Sequence, residues 1–277
     1  MPTPIIDTHL HLVYRDRFSY PWLGDVPPLN RDFSLETYRP QAEAAGITQS
    51  IHMEVDVAET DQMRETDFVT GLGGSVVAAI SSCRPESRDF PAQLEQLAQN
   101  PKVKGLRRIL HTSSDELSQA PIFTENLKRL AAHRLSFDIC VLARQLPLAL
   151  RIARACPDVQ FILDHCGVPA VKDRAPDPWR ADIKALAAEP NVACKVSGVV
   201  AYTDPNWTVD DLRPFVEHVI ASFGWDRVVW GSDWPVCTLT ADLGRWVAAT
   251  RTIIAGESAS NQAKLLNGNA RRIYRLN

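Results

Sequence analysis

Eight short runs rich in β-branched and apolar residues recur along the chain, at 5–11, 47–54, 75–81, 103–110, 136–141, 159–165, 192–197 and 227–233. Each has the length of a strand buried on both faces, and each is followed by a longer segment. Those segments carry the 3.6-residue apolar repeat of an amphipathic helix, most plainly at 92–99, 122–133, 146–155, 179–188, 212–223 and 239–254. Strands separated by helical crossovers pair in parallel, because a parallel neighbour needs a long connection. Eight alternations predict an α/β fold, a closed (β/α)8 TIM barrel, as a single domain over residues 1–277. An open doubly wound sheet is the competitor, but no glycine-rich phosphate turn follows the first run, and eight runs fit closure better.

The least regular stretch, 13–36, is rich in aromatics, prolines and charges and follows the first run. Loops at the C-terminal ends of barrel strands build active sites, so this one is expected to be a lid or substrate wall. The tail at 267–276 reads as a final short helix that caps the barrel.

Composition narrows the partners. A 277-residue chain with 45% hydrophobic and 23% charged residues can bury a large core, and its net charge of −3 leaves no basic excess for nucleic acid or an anionic membrane. A small neutral or anionic ligand is expected, and an oligomer is left open. No apolar stretch reaches the roughly 18–20 residues of a membrane span, and the first residues show no basic region or apolar signal core. The six cysteines (83, 140, 156, 166, 194 and 237) form no C-x-x-C pair. Several lie in apolar runs, where a reduced thiol acts as a small hydrophobe, so a cytoplasmic location is expected.

Strand alternation is expected to turn Asp7, His9 and His11 to one face of the first run, with the two histidines nearest its C-terminal end. Imidazoles at i and i+2 inside a barrel mouth suit a divalent cation. The sixth run ends in Asp164-His165-Cys166-Gly167 and the eighth in Gly231-Ser232-Asp233-Trp234-Pro235. In a closed barrel these ends meet at one mouth, so His9, His11, His165 and Asp233 should converge on one reacting centre. Taken singly, His165 reads equally well as a core histidine and Asp233 as a helix N-cap. Four coincident strand-end positions weigh against both.

The Asp7-Thr8-His9-Leu10-His11 start, His165 after the sixth run and Gly231-Ser232-Asp233-Trp234-Pro235 after the eighth resemble the amidohydrolase superfamily. The likeness is to its family 2 sugar lactonases, which include L-fuconolactonases and L-rhamnonolactonases, and more remotely to the pyrone-dicarboxylate lactonases. It runs through Tyr20-Pro21-Trp22-Leu23, Lys104-Gly105-Leu106-Arg107-Arg108, Phe161-Ile162-Leu163-Asp164-His165 and Lys195-Val196-Ser197-Gly198, and spans essentially the whole chain. Binuclear members of the superfamily carry a carboxylated lysine at the end of strand four. Here Lys104 stands at the start of that strand, so one divalent metal ion, with zinc as the leading candidate, is expected rather than two, and a metal-free site is the alternative.

The remaining roles follow from strand ends. Of Arg107 and Arg108, only one should face inward, and Arg108 is favoured as the group that meets developing negative charge with His165. Glu54, ending the second run, is a candidate third metal ligand with His9 and His11, and equally an exposed loop acid. Lys195 is expected to pair with Asp7 or Asp138 inside the barrel. Trp22, Arg31, Arg107, His111 and Trp234 are candidate substrate contacts; Trp207, Tyr14, Arg15 and Arg17 are weaker ones. The expected reaction is opening of a sugar-acid lactone by activated water, with Asp233 as base. Its rivals are a pyrone-dicarboxylate-type lactonase, a metal-dependent decarboxylase of a small unsaturated acid, and a catalytically silent barrel that binds a sugar acid.

Overall fold

A computed structural model describes residues 3–276. All eight apolar runs are strands: β1 (Ile5–Leu10), β2 (Ile47–Met53), β3 (Val76–Ser82), β4 (Val103–Ile109), β5 (Ser136–Cys140), β6 (Phe161–Leu163), β7 (Val192–Val196) and β8 (Val228–Trp230). They pair in chain order, every neighbour parallel. Beyond the formal ends of β1 and β8 the ring is joined by a parallel bridge between Leu10 and Trp234. There His11 N donates to Trp234 O at 2.8 Å and Asp233 N to His9 O at 2.9 Å. The chain is therefore a (β/α)8 barrel.

Amphipathic stripes lay the helices on the outside of the ring. Leu146–Ala155 forms as its periodicity predicts, burying Leu146, Ala149, Ile152 and Ala153. Val209–Phe223 begins where Asp211 Oδ2 reaches back to accept from Thr208 N and Thr208 Oγ1, both at 2.9 Å. The helix expected over 122–133 is two pieces, Pro121–Leu127 and Leu130–His133. Outward residues such as Leu106, Phe137 and Phe161 pack with these helices in a large outer core. A smaller inner cluster fills the barrel with Ile6, Ile51, Ala78, Ile80, Ile162, Ala193 and Val229, closed from below by Ala270, Ile273 and Tyr274 of the tail. No helix among the described residues is long and apolar enough to cross a membrane.

Simple alternation fails on β1. Asp7 lies opposite Ser50 and Leu10 opposite His52, so three steps on β1 match two on β2. The extra residue is a bulge, which re-aims the side chains after it. Contrary to the expectation from alternation, Asp7 does not share a face with His9 and His11. Its carboxylate accepts from Tyr38 Oη at 2.7 Å, on the outer helix Leu35–Ala45, and from Ser232 N at 2.7 Å. Gly231 makes room for the re-aimed ring, since a Cβ there would lie 2.7 Å from His9 Cβ.

Candidate active site

His9, His11, His165 and Asp233 meet at the C-terminal mouth of the barrel, all buried. His9 Nε2 and His11 Nε2 are 3.1 Å apart, and His11 Nδ1 is 3.0 Å from the Met53 carbonyl oxygen. Asp233 divides its oxygens: Oδ1 lies 3.7 Å from His9 Nε2 and 3.5 Å from His11 Nε2, while Oδ2 lies 3.9 Å from His165 Nδ1. The His9 and His165 ring centroids are 4.5 Å apart. Burial pushes the Asp233 carboxyl up to about 6 and lowers His165 from its ordinary value, while burial and the Arg107 charge lower His11 to about 4. The imidazoles are thus neutral near pH 7.

His165 and Asp233 both have left-handed backbones, with φ of 54° and 57°. A side chain rarely adopts that region, and its use at two strand ends marks positions where aim outweighs conformational cost. His165 Nδ1 lies 3.0 Å from Ser197 Oγ, and its ring packs against Gly198. A Cβ on Gly198 would fall 2.4 Å from His165 Nδ1, and its φ of +67° disfavours any side chain. Gly198→Ala is expected to displace the ring and lower kcat/KM by about tenfold or more, with the loss mostly in kcat; steady-state kinetics check it.

The arginine inside the site is Arg107, not the expected Arg108. Leu106 belongs to the outer core, so its alternates on β4 turn inward and its own face carries Arg108 out to Glu86 Oε1 at 2.8 Å. Arg107 Nε donates to Glu54 Oε1 at 2.6 Å, Nη2 to the Glu54 carbonyl at 2.7 Å, and Nη1 lies 3.5 Å from Asp164 Oδ2. Burial alone would lower the guanidinium's value, but Glu54 raises it. Glu54 is accordingly spent on Arg107 and on Asp56 N at 2.8 Å, and it is absent from the ligand clusters, which corrects its expected place among the metal ligands.

Beneath His9 lies a buried ion-pair group that sequence reasoning only half anticipated. Lys195 Nζ donates to Asp138 Oδ1 at 2.6 Å and lies 2.9 Å from Asp164 Oδ1 and 3.2 Å from His9 Nδ1. Asp7 takes no part. Asp164 continues the inward alternation of Ile162, two positions before it, and this is the signal in the sequence that points to it. Burial opposes charge on both partners, yet each raises the charged fraction of the other: Asp164 stays well below the carboxylate range and Lys195 stays protonated.

A cavity of about 400 Å³ opens above this floor. His11, Arg107, His111, His165 and Asp233 line its base, and Val13, Trp22, Leu23, Val26 and Leu29 from the 13–36 loop form a largely apolar wall with Val55 and Leu239. Trp22 is pinned by Nε1 donating to the Val55 carbonyl at 2.8 Å, and His111 Nδ1 lies 3.1 Å from Cys140 Sγ. Tyr202, with no sequence signal, also lines it. Two expected contacts lie elsewhere. Arg31 sits over the Phe33 ring on the surface, and Trp234 is buried behind the barrel against Phe33 and Tyr38, because the chain after Asp233 turns its ring away from the mouth. Trp207 is covered by Arg245, and Tyr14, Arg15 and Arg17 are engaged within their own loop or with Phe68.

The donor set fits a divalent ion. His9, His11 and Asp233 place three ligand atoms 3.1, 3.5 and 3.7 Å apart. The edge of a tetrahedron with bonds near 2.1 Å is about 3.4 Å. His9, Asp164 and His165 form a second cluster that shares His9.

This geometry agrees with relationships along the whole chain. A family model described as amidohydrolase matches residues 6–276. The chain belongs to the amidohydrolase family. It is 30% identical over 281 residues to an L-fucono-1,5-lactonase of Burkholderia ambifaria, covering 98% of this chain and 95% of that protein. It is 29% identical over 289 residues to an L-fucono-1,5-lactonase of Burkholderia multivorans, covering 98% and 96%. A crystal structure of a Burkholderia multivorans amidohydrolase with bound zinc matches with a TM-score of 0.91 at 27% identity, covering 99% of this chain and all of that one. Within this amidohydrolase, two overlapping clusters of candidate ligands lie at the barrel mouth.

Proposed function

We propose that this amidohydrolase opens the ring of a neutral sugar-acid lactone by attack of water. The observation that carries the reading is the Asp233 carboxylate, raised to about 6 and set at the floor of a cavity between an imidazole pair and His165. Attack on an acyl carbon requires a base for water and donors for the oxygen that becomes negative. Asp233 takes the proton of the attacking water through the oxygen nearer His165. The His165 ring and the Arg107 charge face the developing oxyanion. Protonated Asp233 then returns the proton to the departing ring oxygen, which stays tethered as the hydroxyl of the product acid. A divalent ion held by His9, His11 and Asp233 would polarise the carbonyl and acidify the water.

Charge favours a neutral lactone over a dicarboxylate or a small unsaturated acid. Arg107 is the sole lysine or arginine among the described lining residues, and Glu54 and Asp164 already hold it. The acids Asp25, Asp56 and Asp233 line the same cavity, so a second carboxylate on the substrate would meet like charge. The L-fucono-1,5-lactonases among its relatives support the sugar-lactone class. Six free, buried thiols support a reducing cytoplasm.

A panel of aldonolactones assayed by acid release, beside 2-pyrone-4,6-dicarboxylate and aromatic acids assayed for carbon dioxide, tests this. The best aldonolactone is expected to exceed the dicarboxylate by about 100-fold in kcat/KM, since like-charge juxtaposition costs several kcal/mol. Preference for the dicarboxylate, or carbon dioxide release, would overturn it.

A further inference from the structure

His9 uses both ring nitrogens, and the proton of a neutral imidazole can sit on only one of them. Its Nδ1 faces two rivals: Lys195 Nζ, a pure donor, at 3.2 Å, and Asp164 Oδ1, a pure acceptor, at 3.4 Å. Its Nε2 faces His11 Nε2 at 3.1 Å. The state of that partner is set independently, because His11 Nδ1 lies 3.0 Å from a carbonyl oxygen and must carry the His11 proton to bond it. His11 Nε2 is then a lone pair, and it is satisfied only if His9 Nε2 carries hydrogen. Two contacts at opposite ends of the ring thus require the same tautomer. Arg107 Nη1, another pure donor, lies 3.3 Å from His9 Nε2 and, like Asp164 Oδ1, favours the opposite tautomer, but both contacts are longer than those to His11 and Lys195, and Arg107 keeps its two bonds to Glu54.

We infer that Lys195 is a positioning residue that selects the tautomer of His9, holding its proton on Nε2 so that the ring points an N–H into the site. Placing a divalent cation on that nitrogen requires the Nε2 proton to leave to solvent and one to be taken up on Nδ1, where Asp164 Oδ1 accepts it. The ring stays neutral throughout. Lys195 therefore favours a hydrogen-bonding site and Asp164 an ion-holding one, and Asp138 keeps the lysine between them with Tyr274 Oη donating to the same Asp138 oxygen at 3.3 Å. The tautomer assignment is independent of the lactonase reading, so either can fail alone.

The first test is the 15N spectrum of histidine-labelled, metal-free wild-type protein, with His9 assigned by its loss in His9→Gln. Nδ1 is expected to show the shift of an unprotonated nitrogen; a protonated Nδ1 would overturn the inference. The second is zinc affinity measured by competition with a chromophoric chelator. Lys195→Met is expected to bind zinc about tenfold or more tightly and Asp164→Asn about tenfold or more weakly, the scale of changes behind a ligand histidine. Opposite signs are not what loss of packing produces. Shifts of the same sign, or no shift in folded variants, would overturn the proposal, and the wild-type spectrum decides it if a variant fails to fold.

Discussion

Asp233→Asn is expected to lower kcat by about 10²–10⁴-fold, the range that a positioned base contributes, while leaving the barrel at least as stable. The amide keeps the side chain's shape but cannot take the water's proton. The stability half follows from the sign of the shift. Burial raises Asp233 from its ordinary value to about 6, so the folded state holds this proton more tightly than the unfolded chain does. That contribution is fully present below the unfolded value near 4 and is lost as pH rises through about 6. At pH 7 the ionised, buried carboxylate is a cost that asparagine lacks. The same shift gives wild-type kcat/KM an acidic limb near pH 6, because only the ionised form acts as base. A pH–rate profile and a thermal melt of both proteins check the prediction. Retained turnover in Asp233→Asn would remove Asp233 from the mechanism.

The second large effect separates two adjacent arginines. Arg107→Met strands Glu54 in a buried setting and removes one of the two cations beside Asp164, and breaking a buried pair from one side typically costs about 3–5 kcal/mol. For a domain of this size that is a fall in Tm of about 6–20 °C, at roughly 2–4 °C per kcal/mol. Activity should fall with it, since the guanidinium also lies 3.3 Å from His9 Nε2. Arg108→Met breaks only a partly exposed pair with Glu86 and should cost about 1 kcal/mol or less. Melts of the two variants side by side, with kinetics on each, decide the matter. Equal losses would mean that Arg107 is not the arginine on which the floor rests.

The difference between these arginines shows where local reading stops. Alternation on β4 says only that Arg107 and Arg108 point oppositely, and the polar residues around them offer no preference. Leu106 settles it, because an apolar residue in the outer core puts Arg108 on that same side. On β1 the local rule itself breaks, since a bulge opposite Ile51 turns Asp7 away from the histidines that follow it. Trp234 and Glu54 were reasonable site candidates at strand ends, and both are claimed by partners distant in sequence, Phe33 and Tyr38 for one and Arg107 for the other.

Fold class, the order of eight strands and the placement of His9, His11, His165 and Asp233 at strand ends were all legible in the chain alone. They depend on short-range periodicity and on the rule that parallel strands in a closed barrel end at one mouth. Only the tertiary structure decided which arginine enters and that Lys195 lies between Asp138 and Asp164 under His9. Those outcomes depend on distances between charges far apart in sequence and on twist and bulging that re-aim side chains, and periodicity along a chain carries neither.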